Sequence, residues 1–252
     1  MTARPKEDLD SSAKRAGANH ILRSLPEKEY EALLPKLERV TLPQKRVLYA
    51  SGAAILEGYF VNEGLISSLT VMQNGDSVEV GIVGDEGFVG LPILLNIAHS
   101  SVLVNVQVPG EALRIKADTL HNLLPKLPML ERLLSRFAYL QALQSQQIAA
   151  CNRLHEVEER LARWLLMTLD RVQSDVLPLT HDLLASMLGS RRASVTVAAG
   201  ILQRAGIIDY RRGRVHILNR KKLEEAACEC DAAIRIQLKA YLSTGMVVRP
   251  PI

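Results

Sequence analysis

The stretch from residue 179 to 219, beginning LTHDLLASMLGSRRASVTVAAGILQRAGIIDYRRGRVHIL, constrains this chain more than any other part. Thr180 is placed to cap a short helix whose apolar face is Leu184, Met187 and Leu188, and Gly189 supplies the turn that ends it. A second helix starts near Ser190. Its apolar residues Val195, Ala198, Ala199 and Leu202 recur at i, i+3, i+4 and i+7, which leaves Arg191, Arg192, Ser194 and Thr196 on the exposed side of its N-terminal end. Gly206 stops this helix, Ile207 and Ile208 lead into a hairpin, and the turn Arg211-Arg212-Gly213-Arg214 carries three guanidinium groups. Two helices, a tight turn and a hairpin form a winged helix-turn-helix pattern. Packing alone does not require basic residues on both exposed elements, whereas gripping duplex DNA does.

At 252 residues and 48% hydrophobic content, the chain is long enough for two domains with cores. A net charge of +4 is mild, so the local clustering of arginines, rather than the total, argues for an anionic partner. No apolar run approaches the roughly 20 residues of a membrane span, and MTARPKEDLDSSAKRAG at the N-terminus has no apolar signal core. A cytoplasmic protein without a membrane partner is expected. Cys151, Cys228 and Cys230 are too few for a disulfide framework, which fits a reducing compartment. Cys228-x-Cys230 has no second pair at zinc-site spacing and reads as incidental, so neither a metal nor a cofactor is expected. His20, His99, His121, His155, His181 and His216 form no His-x-x-x-His pair and read as surface or capping groups. No GxSxG, GxxxxGK[ST] or HExxH motif is present, and GDEG at Gly84 to Gly87 reads as a turn. Glu156, Glu158 and Glu159 lie opposite an apolar stripe as a solvated face. No enzymatic activity is expected.

From about Val40 to Ile115 the chain shows short β-rich runs, VLYA, YFVNEGLISSLTVM, SVEVGIV, VLVNVQV and ALRI, punctuated by Gly52, Gly64, Asn74-Gly75, Gly84, Gly87 and Gly90. This predicts an antiparallel barrel or roll. From Leu127 to Ala150 the pattern turns helical, with Pro128 in the first turn and Leu130, Leu134, Phe137, Gln141, Gln144 and Ile148 on a seam suited to a partner helix. A further helix from about Leu154 to Arg171 buries Leu154, Val157, Leu161, Trp164 and Leu165. The expected architecture is α+β: a β-roll over 19–118, a dimerisation helix over 119–150, a winged helix-turn-helix over 151–225 and a helical tail over 226–252.

That order, together with Tyr59-Phe60-Val61 and Gly64, Gly75 through Phe88-Val89-Gly90, Glu158-Glu159-Arg160-Leu161-Ala162, and Leu179-Thr180 through Gly189 to Gly206-Ile207-Ile208, resembles the family of the cyclic-AMP receptor protein and the fumarate and nitrate reduction regulator, the Crp/Fnr family, over nearly all of residues 19–225. The resemblance implies a bacterial, homodimeric transcription regulator on a roughly palindromic operator of double-stranded DNA, controlled through its N-terminal sensor and able to work with RNA polymerase.

The sensor departs from the best-known members. Their Phe-Gly-Glu-like run supplies a glutamate to the ribose, and an Arg-Ser or Arg-Thr pair neutralises the cyclic phosphate. The corresponding places here are Phe88-Val89-Gly90-Leu91-Pro92 and Ser100-Ser101, and Arg114 sits on a terminal strand away from the phosphate loop. A buried phosphate without a guanidinium costs several kcal/mol, so cyclic AMP is not expected to bind. Leu91, Ser100, Ser101 and Ser145 form the candidate pocket for an unknown effector. The family's iron-sulfur sensors use cysteines usually near the N-terminus, and this chain has none before Cys151. In the recognition helix, the places where the resemblance puts Arg, Glu and a second Arg on base edges hold Arg192, Ala193 and Val197. Arg192, Ala193, Thr196 and Val197 are thus the expected base-contacting set, and Thr180, Arg191, Ser194, Arg211, Arg212 and Arg214 the phosphate-contacting one. The competing reading is a ligand-binding or scaffold protein whose helix-turn-helix serves protein contacts, which salt-dependent binding to duplex DNA distinguishes.

Overall fold

The computed structural model describes residues 19–172 and 174–244. Asn19 opens the described chain with its side chain accepting from Leu22 N and donating to Val61 O and Gly87 O, which starts helix α1 (His20–Arg23) and ties it to the roll. Helix α2 (Glu27–Leu33) follows, with its Tyr30 and Leu33 buried.

The roll is one antiparallel sheet. Strands β1 (Glu38–Leu42), β6 (Leu103–Lys116), β3 (Glu57–Val71) and β4 (Ser77–Val83) lie in the order β1-β6-β3-β4, with β2 (Val47–Tyr49) on β6 and β5 (Phe88–Val89) on β3. The runs VLVNVQV and ALRI are a single long strand, β6. It bends where Gly64 of β3, at φ 93°, meets Pro109-Gly110, and the pairing register shifts on either side. A Cβ at Gly110 would come within 2.0 Å of Glu63 O, so only glycine allows the two backbones this close.

A short helix α3 (Ala117–Leu123) leads to the long α4 (Pro128–Leu154). Pro128 starts α4, as its place in the first turn predicts. Leu130, Leu134, Phe137, Gln144 and Ile148, the residues assigned to a partner-facing seam, are all buried within the single chain. Leu130, Leu134 and Phe137 join the roll's own core, Gln141 Nε2 donates to Ile82 O at 3.0 Å, and a Cβ at Gly87 would strike the Phe137 ring at 2.0 Å. At Leu130, Leu134 and Phe137 the chain's own roll covers the stripe, so these three do not need a partner helix to bury them. The face left open carries Ser135, Tyr139, Ala142, Gln146 and Ala149, with Tyr139 55% exposed.

Helix α5 (Val157–Leu169) starts at a junction fixed by Glu159 Oε2, which accepts from Glu156 N, so Glu159 serves as a cap rather than only a solvated charge. Of its expected core, Leu161, Trp164 and Leu165 are buried, Val157 is half-buried, and Leu154 is 74% exposed as the last residue of α4. Then come β7 (Val176–Leu177), α6 (His181–Leu188), α7 (Arg192–Arg204), the hairpin β8 (Ile208–Arg211) and β9 (Arg214–Ile217), α8 (Arg220–Ala226) and α9 (Cys230–Thr244). Helix α9 forms most of the described part of the tail, whose residues 245–252 lie outside the described residues. It packs against α4 and α5, with Ile234, Leu238 and Tyr241 buried and the Tyr241 ring 5.9 Å from that of Phe137.

Candidate nucleic-acid interface

Helices α6 and α7 form the expected helix-turn-helix. Thr180 Oγ1 accepts from Leu183 N to cap α6, and Gly189 closes it in the left-handed region at φ 54°. Residues Val195, Ala198, Ala199 and Leu202 of α7 are buried in the core with Leu184, Met187 and Leu188, as their periodicity predicts. That burial turns Arg191, Arg192, Ala193, Ser194, Thr196 and Val197 outward, and Val197 is 62% exposed. Arg192 reaches only Asp182, at 3.3 Å on the surface.

The wing joins this surface through its base. Strands β8 and β9 pair across Arg212-Gly213, both at positive φ (50° and 73°), the twist that a two-residue hairpin needs. Tyr210 of β8 stacks on His181 of α6 with ring centroids 4.2 Å apart, and His181 Nδ1 lies 3.0 Å from Thr196 Oγ1 on α7. The Thr196 hydroxyl donates to Arg192 O, so its oxygen accepts from the imidazole. Burial lowers the His181 pKa, helped by the Arg192 charge and opposed by that of Asp182. Cap, recognition helix and wing thus meet at one histidine, and Arg211, Arg212 and Arg214 project from the wing's exposed turn. The motif marks the three elements; the His181 contacts that lock them together are not legible in spacing.

Two buried polar contacts join this module to the roll, beside the apolar packing of Met167 with Leu65 and Ile82. Arg171 Nε pairs with Glu86 Oε1 at 2.7 Å, with both side chains 2–3% exposed, so the GDEG turn also carries a structural carboxylate. Trp164 Nε1 donates to Glu79 Oε1 at 2.7 Å, and Ser67 Oγ donates to Glu79 Oε2 at 2.6 Å. Burial pushes the Glu79 carboxyl up to about 7 against these hydrogen bonds and the nearby Arg163 and Arg171. Arg191 and Arg192 share a cleft of about 540 Å³ with Gly75 to Val78 of the β3–β4 hairpin.

In the roll, Leu91, Ser100, Ser101 and Ser145 come together around one cavity of about 200 Å³, closed on one side by Gln141 and Ser145 of α4. Among the described residues, no arginine or lysine lines it. Arg114 is committed elsewhere, to Glu38 at 2.6 Å and Glu57 at 2.9 Å.

Cys151 and His155 of the α4–α5 junction meet Cys228 and Cys230 at the start of the tail, with all four ligand atoms within 4.8 Å of one another. Spacing along the chain gave this cluster no signal, because its halves lie more than seventy residues apart.

A model of the cyclic nucleotide-binding domain matches residues 39–126, and a model of the Crp-like helix-turn-helix domain matches residues 159–226. Together they span more than half of the chain. No curated protein matches by sequence. Among solved structures, a protein of Eubacterium rectale described as a transcriptional regulator of the Crp/Fnr family superposes with a TM-score of 0.67 at 15% identity, covering 82% of this chain and 96% of its own. The c-di-GMP responsive global regulator CLP of Xanthomonas campestris gives 0.65 at 18% identity, covering 77% and 100%, and FixK2 of Bradyrhizobium japonicum gives 0.65 at 15%, covering 76% and 98%. These likenesses establish the fold, and the helix α9 lies beyond the matched helix-turn-helix domain. With a roll of cyclic-nucleotide-binding type and a Crp-like helix-turn-helix behind it, the chain belongs to the Crp/Fnr family of transcription regulators.

Proposed function

We propose that this regulator acts as a homodimer on a roughly palindromic duplex operator, with α7 in the major groove and the wing on the flanking backbone. The observation that carries this is the joining of α6, α7 and the wing at His181, which presents Arg192, Ala193, Thr196 and Val197 between phosphate-reaching groups at Thr180, Arg191, Ser194, Arg211, Arg212 and Arg214. Two such helices must sit about 34 Å apart to read both half-sites. The open face of α4, with Tyr139 and Ala142 at its centre, is the surface on which the two copies meet.

The roll serves as a sensor for a ligand other than a cyclic nucleotide. Its cavity offers hydroxyls and apolar walls but no cation, so a phosphate would enter unpaired. A small neutral effector fits that lining, and its contact with α4 at Gln141 and Ser145 gives it a route to the dimer helix. No helix among the described residues is long and apolar enough to cross a membrane; a cytoplasmic, non-enzymatic regulator working with RNA polymerase fits the whole reading.

Selection of duplexes from a random pool tests the DNA reading. A recovered site with two-fold symmetry and an affinity that falls steeply with salt is expected. Recovery of no duplex above background would overturn it in favour of a protein-binding helix-turn-helix.

A further inference from the structure

Cys151 Sγ lies 3.5 Å from Cys228 Sγ, and His155 Nδ1 lies 3.7 Å from Cys230 Sγ. Four ligands bound tetrahedrally at about 2.3 Å stand about 3.8 Å apart, so this spacing suits one ion at the centre. A polynuclear iron-sulfur cluster interposes its own sulfides and spreads its thiolates wider.

The surroundings point the same way. His155 Nε2 faces Glu229 Oε2 at 3.1 Å, which holds the proton on Nε2 and leaves the Nδ1 lone pair aimed at the sulfurs, the arrangement of a metal-bound histidine backed by a carboxylate. Gln147 Nε2 donates to Cys230 Sγ at 3.0 Å, so the sulfur acts as an acceptor. Beside them Arg160 and Arg163 are 7% and 2% exposed, each with a buried Nε that has no hydrogen-bond partner, and neither forms an ion pair among the described residues. Both act electrostatically on Cys151. Glu79 lies near Arg163 and Glu156 near Arg160, but neither pairs with its guanidinium, so a further negative charge beside the two buried cations is favourable. A divalent ion held by three thiolates and a neutral histidine carries a net charge of minus one, and supplies it.

We propose that Cys151, His155, Cys228 and Cys230 form a tetrahedral site for a divalent, thiol-seeking cation, zinc first, that fastens the tail to the α4–α5 junction. Three soft sulfurs and one imidazole select zinc over the harder calcium and magnesium. Each thiol gives up its proton to solvent as its sulfur binds the ion, so uptake of one Zn²⁺ releases up to three protons and involves no electron transfer. Closed by four protein ligands, the site is structural. It stands independently of how the protein reads DNA.

The test uses the full chain, reduced and freed of metal, titrated with Co²⁺ and then Zn²⁺. One equivalent of Co²⁺ giving the intense d–d bands of tetrahedral cobalt with thiolate-to-metal charge transfer, displaced by Zn²⁺, is the expected result. Glu229→Gln leaves all four ligands in place and should weaken binding 10- to 100-fold. His155→Cys should keep a tight site and shift the cobalt bands toward a four-sulfur spectrum, whereas Cys228→Ser should weaken binding and lower the charge-transfer band, since one of its three thiolates is gone. Wild-type protein that shows no tetrahedral cobalt spectrum would overturn the proposal. So would a Cys151–Cys228 disulfide that forms in the presence of zinc, leaving one titratable thiol.

Discussion

Arg192 and Arg212 are both exposed arginines of the same module, but their settings differ, and on the proposed reading so does their work. Arg192 stands in the first turn of α7 beside Ala193, held only by Asp182 across 3.3 Å of solvent-screened surface, and is free to turn onto a guanine edge. Arg212 sits at the tip of the wing at φ 50°, where a phosphate is the natural partner. Arg192→Ala should cost roughly 1 to 3 kcal/mol and relax preference at a single base pair, whereas Arg212→Ala should weaken every duplex alike and lower the salt slope by about one. Affinities for a panel of single-base operator variants at two salt concentrations separate the two. Equal loss on every duplex for Arg192→Ala would remove it as the base reader. At Glu79 the fold works against a charge. Between the carboxyl's ordinary 4.5 and about 7 the folded chain keeps a proton that the unfolded chain has lost, so stability is greatest below 4.5 and falls as pH rises through 7. The total is on the order of 3 kcal/mol. Glu79→Gln, which can still accept from Trp164, should remove that fall, read as urea midpoints of both proteins from pH 5 to 8. Identical pH profiles would show that the carboxyl titrates normally.

At the scale of elements, the long helix shows both what the sequence reveals and what it withholds. The apolar spacing of α4 marks Leu130, Leu134, Phe137 and Ile148 as buried, and they are. It carries no information on what does the burying, since a stripe reads the same against a partner helix as against a sheet. The clue that decided it was Gly87, whose missing side chain admits the Phe137 ring, and that meaning appears only once both residues are placed. The helix-turn-helix was legible because its signals are local: a cap, two glycines, one apolar period and a run of arginines, all within forty residues. Three substitutions on α4 separate its faces. Leu134→Ala should destabilise the chain by about 2 to 5 kcal/mol through an internal cavity without changing its oligomeric state. If the two copies meet on the open face as proposed, Tyr139→Glu or Ala142→Glu should leave the fold intact and dissociate them, so that operator affinity drops with half-site cooperativity. Sedimentation and denaturant titration of the three variants give the answer. A Tyr139→Glu, Ala142→Glu double variant that remains a dimer would place the interface elsewhere.

Over the whole molecule, any coupling between the roll and the DNA module must pass through the places where the two touch, and the Arg171–Glu86 pair is a buried ion pair among them. Glu86 also accepts from Gly84 N at 3.1 Å, and Arg171 donates to Met167 O at 3.0 Å, so each charge is anchored to its own side before it meets the other. Arg171 Nη2 still lacks a partner, which makes the pair costly to bury and poorly replaceable by water. Removing either member alone strands the other charge in a dry interface. Arg171→Met and Glu86→Gln should each destabilise by about 3 to 5 kcal/mol, while the double variant, with no charge left to strand, should recover most of that loss. Because the roll and the module each have a large core cluster of their own, joined through Leu69 and through Met167 among Leu65 and Ile82, the single variants should also broaden the unfolding transition or split it into two. Denaturant unfolding of the four proteins, followed by the Trp164 fluorescence at the seam and by far-ultraviolet circular dichroism for the whole chain, measures both effects. Additive losses in the double variant would mean that the two residues act separately and that the coupling between roll and DNA module runs through the Glu79–Trp164 contact instead.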